Sequence, residues 1–227
     1  MKKSGYDIFL TILLAILTVG IVVTAGYLVY KYYQKYKINA DADTFLNEFD
    51  EAIDNKIKDQ GNDLYTNEQE EQAEEDQEEE DEKGVRGIIS DSLTYKGYSV
   101  AGKLEMPTVN LQYPVLDQMT DANAIEVSVA IQYGVGLNNI GNTVIIGHNY
   151  RNGLFFGSNK NLYVGDTIYI TDWATGNRRQ YVIYNKYTTE ESDTSYFQRD
   201  TSGKREVSLV TCQTDNSYRL VIWAREV

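Results

Sequence analysis

The sequence contains a single cysteine, Cys212, and a single histidine, His148. A thiol attacks an acyl group as the thiolate, and a nearby imidazole both favours that thiolate and moves the protons of the reaction. Arg219 follows Cys212 closely in the chain, and a guanidinium is suited to stabilising the oxyanion of a tetrahedral intermediate. These three residue types therefore indicate nucleophilic acyl transfer. A disulfide within the chain is excluded, and a Cys/His zinc site lacks ligands.

Cys212 and Arg219 belong to two β-strands that are expected to form a hairpin. Cys212 ends an apolar strand predicted over residues 206–211, and Arg219 opens an alternating strand predicted over residues 218–226. The polar residues between the two strands are few enough for a hairpin loop. The spacing alone therefore predicts that Cys212 and Arg219 lie close together.

His148 directly follows a continuous apolar strand predicted over residues 142–147. All three residues thus lie at strand ends, where side chains on loops are held by a rigid scaffold. Each has a simpler explanation when it is taken alone. A lone cysteine is often a small buried apolar residue, a lone histidine a surface or core residue, and an arginine at a strand start a solvated charge. The acyl-transfer hypothesis therefore depends on their coming together.

The second half of the chain has the pattern of an all-β domain. Turn signals separate about seven or eight short strands from residue 98 to the end of the sequence. Only residues 121–129 and 153–159 have the pattern of short helices. We therefore predict a closed or nearly closed β-barrel with short helices over residues 98–227.

Residues 1–37 are predicted to be a membrane anchor and its flanks. The apolar run over residues 8–30 carries no charge, and at ~1.5 Å per residue a helix of this length crosses a hydrocarbon core of roughly 30 Å. A cleaved signal peptide is the alternative, with small residues at positions 23–25 as a plausible cleavage site. The apolar run continues past that point, which favours an uncleaved anchor. Lysines flank the run on both sides, so the positive-inside rule does not settle the topology.

An amphipathic helix is predicted over residues 38–58, followed by an acidic, disordered linker over residues 59–97. Apolar residues recur every fourth position in the helix, which gives one apolar stripe: Phe45, Phe49, Ile53 and Ile57. The stripe is expected to rest on the domain or on a bilayer surface, and self-association is a further alternative. The linker is too polar to bury enough surface to offset its chain entropy.

The net charge of −13 is concentrated in this linker, because residues 67–82 contain carboxylates and no basic residue. The rest of the chain is close to electrical balance. A phosphate-binding surface over the whole domain is therefore not expected, and no nucleic-acid partner is predicted.

The motifs around the three candidate residues resemble those of the sortase family. Residues 208–212 read SLVTC and are followed by Arg219, which is similar to the family signature TLxTC with a downstream arginine. Ser208 stands where the family usually has threonine. Residues 142–148 read NTVIIGH and resemble the family's strand that ends in Gly-His. The resemblance extends over about residues 98–227, and a signal anchor followed by a spacer is typical of the same family.

This resemblance implies an eight-stranded β-barrel and a two-step acyl transfer. Cys212 would attack the Thr carbonyl of a sorting motif such as LPxTG in a surface protein, and an amine of a peptidoglycan cross-bridge or a pilin would resolve the thioester. His148 would protonate the leaving amine and Arg219 would hold the carbonyl oxygen, while Thr211 would contribute a substrate contact. The enzyme is expected in the cell membrane as a single-pass protein, with its catalytic domain outside the cytoplasm.

The sortase subclass is not determined by the sequence. Residues 148–157 resemble class B sequences around the histidine, but residues 187–205, which match the family's selectivity loop, are too few for the class B insertion. Class C members usually add a C-terminal membrane helix, and here Val227 directly follows the last strand. A housekeeping or class D-like enzyme therefore stays open.

No cofactor is predicted, although three carboxylates in the selectivity loop are a candidate Ca²⁺ site: Glu190, Glu191 and Asp193. Three nearby carboxylates are more often solvated. The alternative from a different functional class is a non-catalytic β-barrel surface or assembly module on an acidic stalk. That alternative predicts either that Cys212 and His148 lie far apart or that the thiol is sealed in apolar packing.

Overall fold

The computed structural model describes residues 5–70, 92–119, 121–213 and 217–227. One helix, α1, extends over Gly5–Glu70, and the chain divides within it into two compact units, Met1–Asp41 and Ala42–Val227. The apolar part of α1 is exposed and is long and apolar enough to cross a membrane. Residues 31–42, between the apolar segment and the amphipathic segment, contain no glycine or proline that would end the helix.

The region predicted as a disordered linker, residues 59–97, is described only at its two ends. The helix α1 continues to Glu70, and Thr94–Tyr95 forms the short strand β1. Residues 71–91, which carry most of the acidic run, lie outside the described residues.

The apolar stripe of α1 packs within the second unit. Leu46 and Phe49 are fully buried, and Ile53 is nearly so. Phe49 stacks against Trp173 with ring centroids 5.4 Å apart, and the same apolar cluster includes Leu116 of the barrel. Of the alternatives that the sequence left open for this helix, the structure therefore selects packing on the domain.

Two lysines add polar contacts to this helix packing. The Lys103 ammonium, on a buried side chain of the barrel, donates to both carboxylate oxygens of Asp50 at 2.5 and 2.7 Å. The Lys56 ammonium lies 3.0 Å from the centroid of the Trp173 ring. These contacts fix the register of the helix on the barrel, because each pairs one helical position with one barrel side chain.

The β-strands of the second unit form one closed sheet. The strands after β1 are β2 Tyr98–Met106, β3 Leu111–Leu116, β4 Val129–Gly134, β5 Gly141–Ile146, β6 Thr167–Asp172, β7 Arg178–Glu190, β8 Arg205–Cys212 and β9 Tyr218–Glu226. Their order in the sheet is β1-β2-β3-β4-β5-β8-β9-β7-β6, and the additional pairing of β2 with β6 closes strands β2 to β9 into an eight-stranded barrel. This confirms the predicted fold class.

Short helical segments connect some of these strands. The helix α2 is limited to Ala124–Val127, and two 3₁₀ segments cover Pro107–Val109 and Phe156–Asn161. The prediction of a helix through residue 129 was wrong at its end, because Val129 begins β4. Strand β4 was not predicted from the sequence, since its short apolar run fits a buried strand and a buried helix equally well.

Strands β5 and β8 lie next to each other in the middle of the sheet and run parallel, with Ile146 opposite Val210. Both are covered on both faces, which explains why their sequences read as nearly continuous apolar runs. Because the strands are parallel, their carboxyl ends meet at the same edge of the barrel. That edge carries His148 and Cys212.

Replacing Phe49 by alanine tests whether α1 is part of the folded second unit. Loss of this buried ring should lower the free energy of unfolding of a fragment covering residues 42–227 by about 3–5 kcal/mol. Urea denaturation followed by tryptophan fluorescence measures the change. Glu48→Ala, at the adjacent exposed position, is the matched control and should stay within about 0.5 kcal/mol of the parent. Equal stability of the two variants would contradict the packing described here.

Candidate functional site

Cys212 and Arg219 face each other across the β8–β9 hairpin. The antiparallel register pairs Cys212 directly with Arg219, and the Gln213 amide donates to the Tyr218 carbonyl at 2.9 Å where the hairpin closes. The spacing argument from the sequence is therefore confirmed for this pair. The Cys212 side chain is partly exposed and not sealed in the core.

The parallel pairing of β5 and β8 places His148 beside Cys212. Since Ile146 lies opposite Val210, His148 and Cys212 are each two residues further along their chains. Residues two apart on a strand project from the same face, so the Cys212 side chain leaves the face that carries Val210. His148 follows the end of β5 and is level with Cys212 along the register. Arg219 shares the face of Cys212, because it is paired with Cys212.

Two hydrogen bonds fasten the segment around His148 to the end of β8. The Thr211 hydroxyl donates to the Gly147 carbonyl at 2.7 Å, and the Asn149 side-chain amide donates to the Cys212 carbonyl at 2.7 Å. Thr211 is buried, so the described role of its hydroxyl is to tie these segments together. A contact of Thr211 with substrate stays a prediction. The role of Asn149 was not predicted from the sequence, because nothing in the sequence around a loop asparagine shows which group its side-chain amide will bind.

The imidazole of His148 has a carboxylate neighbour that sequence analysis did not find. Glu126 of α2 places Oε1 2.9 Å from His148 Nε2. This nitrogen is shielded from solvent and makes no hydrogen bond with the described residues, so the contact is a close approach of the carboxylate to the ring. The Tyr150 hydroxyl donates to the other oxygen of Glu126, and its ring lies 5.1 Å from the imidazole. Burial, together with this hydrogen bond and the charge of Glu126, raises the pKa of Tyr150 to about 12. The phenol therefore remains a donor that holds the carboxylate in place.

The guanidinium of Arg219 is also paired with a carboxylate. Its Nη2 lies 2.5 Å from Glu191 Oε1, and the Arg219 side chain is only 17% exposed while that of Glu191 is 65% exposed. Glu191 is one of the three carboxylates considered for Ca²⁺, and a second one, Asp193, accepts from the Thr189 hydroxyl. Among the residues that the structure describes, no group of three or more potential ligand side chains is placed to hold a metal ion.

The loop between β7 and β8 covers the same face. Tyr196 is buried in a cluster with Val144, Val210 and Val221, and the side-chain amide of Asn142 donates to the Tyr196 carbonyl at 2.9 Å. Burial raises the pKa of the Tyr196 phenol, and the positive charge of Arg219 opposes that rise. The aromatic part of the loop thus packs directly beside the candidate residues.

A buried ion pair anchors this loop to the barrel. Arg199 Nη1 lies 2.5 Å from Glu206 Oε2, with the Glu206 side chain fully buried and that of Arg199 9% exposed. Burial alone would raise the pKa of Glu206, but the hydrogen bonds from Tyr184, Arg225 and Arg199 outweigh it and lower the pKa below its usual value. The carboxylate is therefore charged at neutral pH and keeps the arginine in place.

Ser208, the residue that departs from the usual motif, takes part in the same network. Its hydroxyl donates to Asn142 Oδ1 at 3.0 Å and lies 3.3 Å from Arg199 Nη2. The hydroxyl at this position thus helps to connect β8, β5 and the covering loop. A serine provides that hydrogen bond as well as a threonine does.

The arrangement brings a nucleophile, a proton carrier and a cationic hydrogen-bond donor to one edge of a rigid barrel. Cys212, which is partly exposed, is level with His148 along the register of β5 and β8 and is paired with Arg219 across the hairpin. Such a set can attack an acyl carbon, stabilise the oxyanion and transfer protons to and from the leaving and entering groups.

The sequence matches a family model described as the sortase domain over residues 104–227, which is more than half of the chain. It is also similar to sortase A of Bacillus anthracis, with 29% identity over 126 residues, 54% of this chain and 58% of that protein. The chain therefore spans less than two thirds of the length of this curated relative.

Solved structures with a similar fold come from the same group of proteins. Sortase A of Corynebacterium diphtheriae superposes with a TM-score of 0.52 at 26% identity, over 57% of this chain and 61% of that chain. Sortase C1 of Streptococcus agalactiae gives 0.51 at 19% identity, over 56% of this chain and 69% of that chain. The second match, at its low identity, is evidence for the fold alone.

Replacing Glu126 by glutamine tests the contact with the imidazole by a measurement that does not depend on activity. Because the chain has a single histidine, the side-chain ¹⁵N spectrum contains the signals of one imidazole. Loss of the negative charge 2.9 Å from Nε2 should shift those signals at neutral pH. Glu191→Gln, which removes a similarly exposed carboxylate from Arg219, is the control and should shift them less. Unchanged spectra in Glu126→Gln would contradict the contact.

Proposed function

The chain belongs to the sortase family, and on that premise we propose that it is a cysteine transpeptidase that cleaves an LPxTG-like sorting motif. The observation that carries this proposal is the meeting of Cys212, His148 and Arg219 at one edge of the barrel, through the registers of β8 with β5 and β9. The residue types alone would not support it, since each is common in other roles.

In the first half-reaction, the Cys212 thiolate attacks the carbonyl carbon of the threonine in the motif. The C–S bond forms, and the carbonyl oxygen becomes an oxyanion to which Arg219 donates hydrogen bonds. The C–N bond then breaks, the leaving amine takes a proton from the His148 imidazolium, and a thioester remains on Cys212.

The second half-reaction reverses these proton transfers. An acceptor amine attacks the thioester carbon and gives a proton to the neutral His148 imidazole. The C–S bond breaks, the thiolate leaves, and a new amide joins the sorted protein to the acceptor. We propose that Glu126 supports both steps by holding the imidazole in one orientation through the contact at 2.9 Å.

An open cavity of 1070 Å³ lies between β4 and the β7–β8 loop, lined by residues that include Gln132, Asn142 and Phe197. Asn142 lies near the start of β5 and His148 follows the end of that strand, roughly 20 Å away at ~3.3 Å per residue. The cavity is therefore separate from Cys212, His148 and Arg219, and the proposal of a peptide substrate rests on the family and on those three residues.

The proposed setting is the outer face of a cell membrane. A helix long and apolar enough to span a bilayer precedes the barrel, which supports a single-pass anchor. The proposed substrates are surface proteins that carry sorting signals, and the proposed acceptor is an amine of a peptidoglycan cross-bridge or of a pilin. Anchoring and pilus polymerisation are distinguished by which of these amines resolves the thioester.

The geometry does not favour the non-catalytic alternative. A surface or assembly module would leave the thiol sealed in apolar packing or distant from the imidazole. Instead, Cys212 is partly exposed, and the segment that carries His148 is hydrogen-bonded to the Cys212 carbonyl through Asn149.

Cys212→Ala should abolish formation of a thioester with an LPxTG-type peptide and leave the fold intact. Mass spectrometry of the protein after incubation with the peptide detects the acyl-enzyme, and a thermal unfolding curve checks the fold. Because the chain has one cysteine, the acyl group has a single thiol to occupy. Turnover of the variant at the rate of the parent would refute the nucleophile assignment.

Arg219→Lys should lower kcat/KM for the peptide by about 10²–10³-fold, because an ammonium does not reproduce the fork of guanidinium donors at the oxyanion. The matched control is Arg225→Lys, three alternations further along the same face of β9, where the guanidinium contacts Glu206. The control should change stability more than turnover. Full activity of Arg219→Lys would remove Arg219 from the mechanism.

A further inference from the structure

A single apolar cluster joins α1 to α2, the short helix that carries Glu126. Phe49 of α1 and Ala124 of α2 are both fully buried in this cluster. Ile125 and Val127, the residues on either side of Glu126, pack against the same cluster. The backbone of α2 therefore rests on a core to which α1 contributes.

We propose that residues 42–58 of α1, the supporting segment, position Glu126 and through it the imidazole of His148. Phe49 is then a positioning residue of the proposed transpeptidation, because it acts on the proton carrier through α2. The inference rests on the proposed function for its part in the reaction, and it adds a role for a helix that precedes the barrel in the chain. The structural coupling itself can be measured without catalysis.

The helix α2 is too short to hold its own position. It covers Ala124–Val127, about one turn, and a single turn is not stable alone because helix nucleation is unfavourable. At its amino end, one carboxylate oxygen of Asp121 accepts hydrogen bonds from the backbone amides of Asn123 and Ala124 at 2.7 and 3.1 Å. Apolar packing adds to this support, so the core beneath α2 helps to decide where its side chains lie.

A chain of contacts through β1 and β2 links the supporting segment to the same end of α2. The ring of Phe45 in α1 lies with its centroid 4.8 Å from that of Tyr95 in β1. Tyr95 pairs with Tyr98 at the start of β2, and the Tyr98 hydroxyl donates to Asp121 Oδ1 at 3.2 Å. Because Asp121 also accepts from the amides of α2, a displacement of α1 reaches α2 through these contacts as well as through the apolar cluster.

The carboxylate of Glu126 depends on the backbone of α2 for its position. Its side chain is 56% exposed, and within the described part of the chain its carboxylate contacts the Tyr150 hydroxyl and approaches His148 Nε2. Both of these residues belong to the segment after β5, so α2 supplies the attachment on the other side. A small shift of α2 therefore changes the distance between the carboxylate and Nε2, and with it the electrostatic interaction between them.

The supporting segment is expected to affect the chemical steps more than the binding of the sorting motif. The His148 imidazole transfers a proton in both half-reactions, so its orientation enters the rate of each. A displacement of about 1 Å in a reacting group can lower a rate by about 10²-fold. A change in the supporting segment should therefore lower kcat and leave KM for the peptide nearly unchanged.

A double-mutant cycle in the full chain in detergent tests this coupling. Phe49→Leu keeps the position apolar but changes the shape of the cluster, and Glu126→Gln removes the charge beside the imidazole. Phe49→Leu alone should lower kcat for an LPxTG-type peptide by roughly 3- to 30-fold, the range expected for coupled residues. In the Glu126→Gln background it should change kcat by less than about 2-fold. An equal loss in the two backgrounds would overturn the inference.

Two further variants separate positioning from a general loss of stability. Leu46→Ala removes as many side-chain carbons as Phe49→Leu from a buried position of α1 that is not a member of the cluster. It should lower the thermal unfolding temperature at least as much but leave kcat within about 2-fold of the parent. Phe45→Leu, at a half-buried position, is the milder variant if Phe49→Leu does not fold, and should show the same dependence on Glu126. A loss of kcat in Leu46→Ala equal to that in the cluster variant would refute the positioning role.

The ¹⁵N signals of the His148 imidazole separate this inference from the proposed function. At neutral pH, Phe49→Leu should shift these signals in the parent and not in the Glu126→Gln background, and Leu46→Ala should leave them in place. If these shifts occur but no thioester forms, the proposed function fails and the coupling of α1 to the imidazole stands. If the thioester forms and Phe49→Leu leaves the signals unchanged, the coupling is refuted and the proposed function stands.

Discussion

Strands β5 and β8 pair in parallel in the middle of the barrel sheet, and the position of every candidate side chain depends on their register. Ile146 lies opposite Val210, so His148 and Cys212, each two residues further along the chain, lie at the same edge of the barrel. A slip of one residue would turn one of these side chains to the opposite face. Both strands are covered on both faces, so such a slip would exchange the side chains packed on the two faces and disrupt the packing of each.

The parts of this arrangement that depend on local patterns could be predicted from the sequence. Strand alternation and turn residues predicted the barrel, and the short polar spacing between Cys212 and Arg219 predicted their pairing across a hairpin. Strand β4 was missed, because the apolar run that begins at Val129 is too short to show a strand period. Its identity is decided by pairing with β3 and β5, which are distant in the chain.

The contacts that support the candidate side chains could not be predicted from the sequence. Glu126 looks like an ordinary helical surface residue, and only the folded barrel places its carboxylate beside His148. The same is true of Glu206, a charged residue in an otherwise apolar strand that is compensated by Arg199 of the covering loop. Arg225 and Tyr184 also contact this carboxylate, so Arg199 is one of several partners of the buried charge, and its ion pair ties the covering loop to the barrel.

Because the sequence has one cysteine and it is partly exposed, a thiol-reactive reagent can modify the protein selectively at Cys212. An electrophile that reaches the candidate site has one thiol in the sequence to react with, that of Cys212. The same exposure makes the protein vulnerable to peroxide, because oxidation of that sulfur to the sulfinic level is irreversible and no second thiol in the chain is available to trap the earlier sulfenic acid. Keeping the Cys212 sulfur reduced in an oxidising environment therefore requires a reductant supplied from outside the chain.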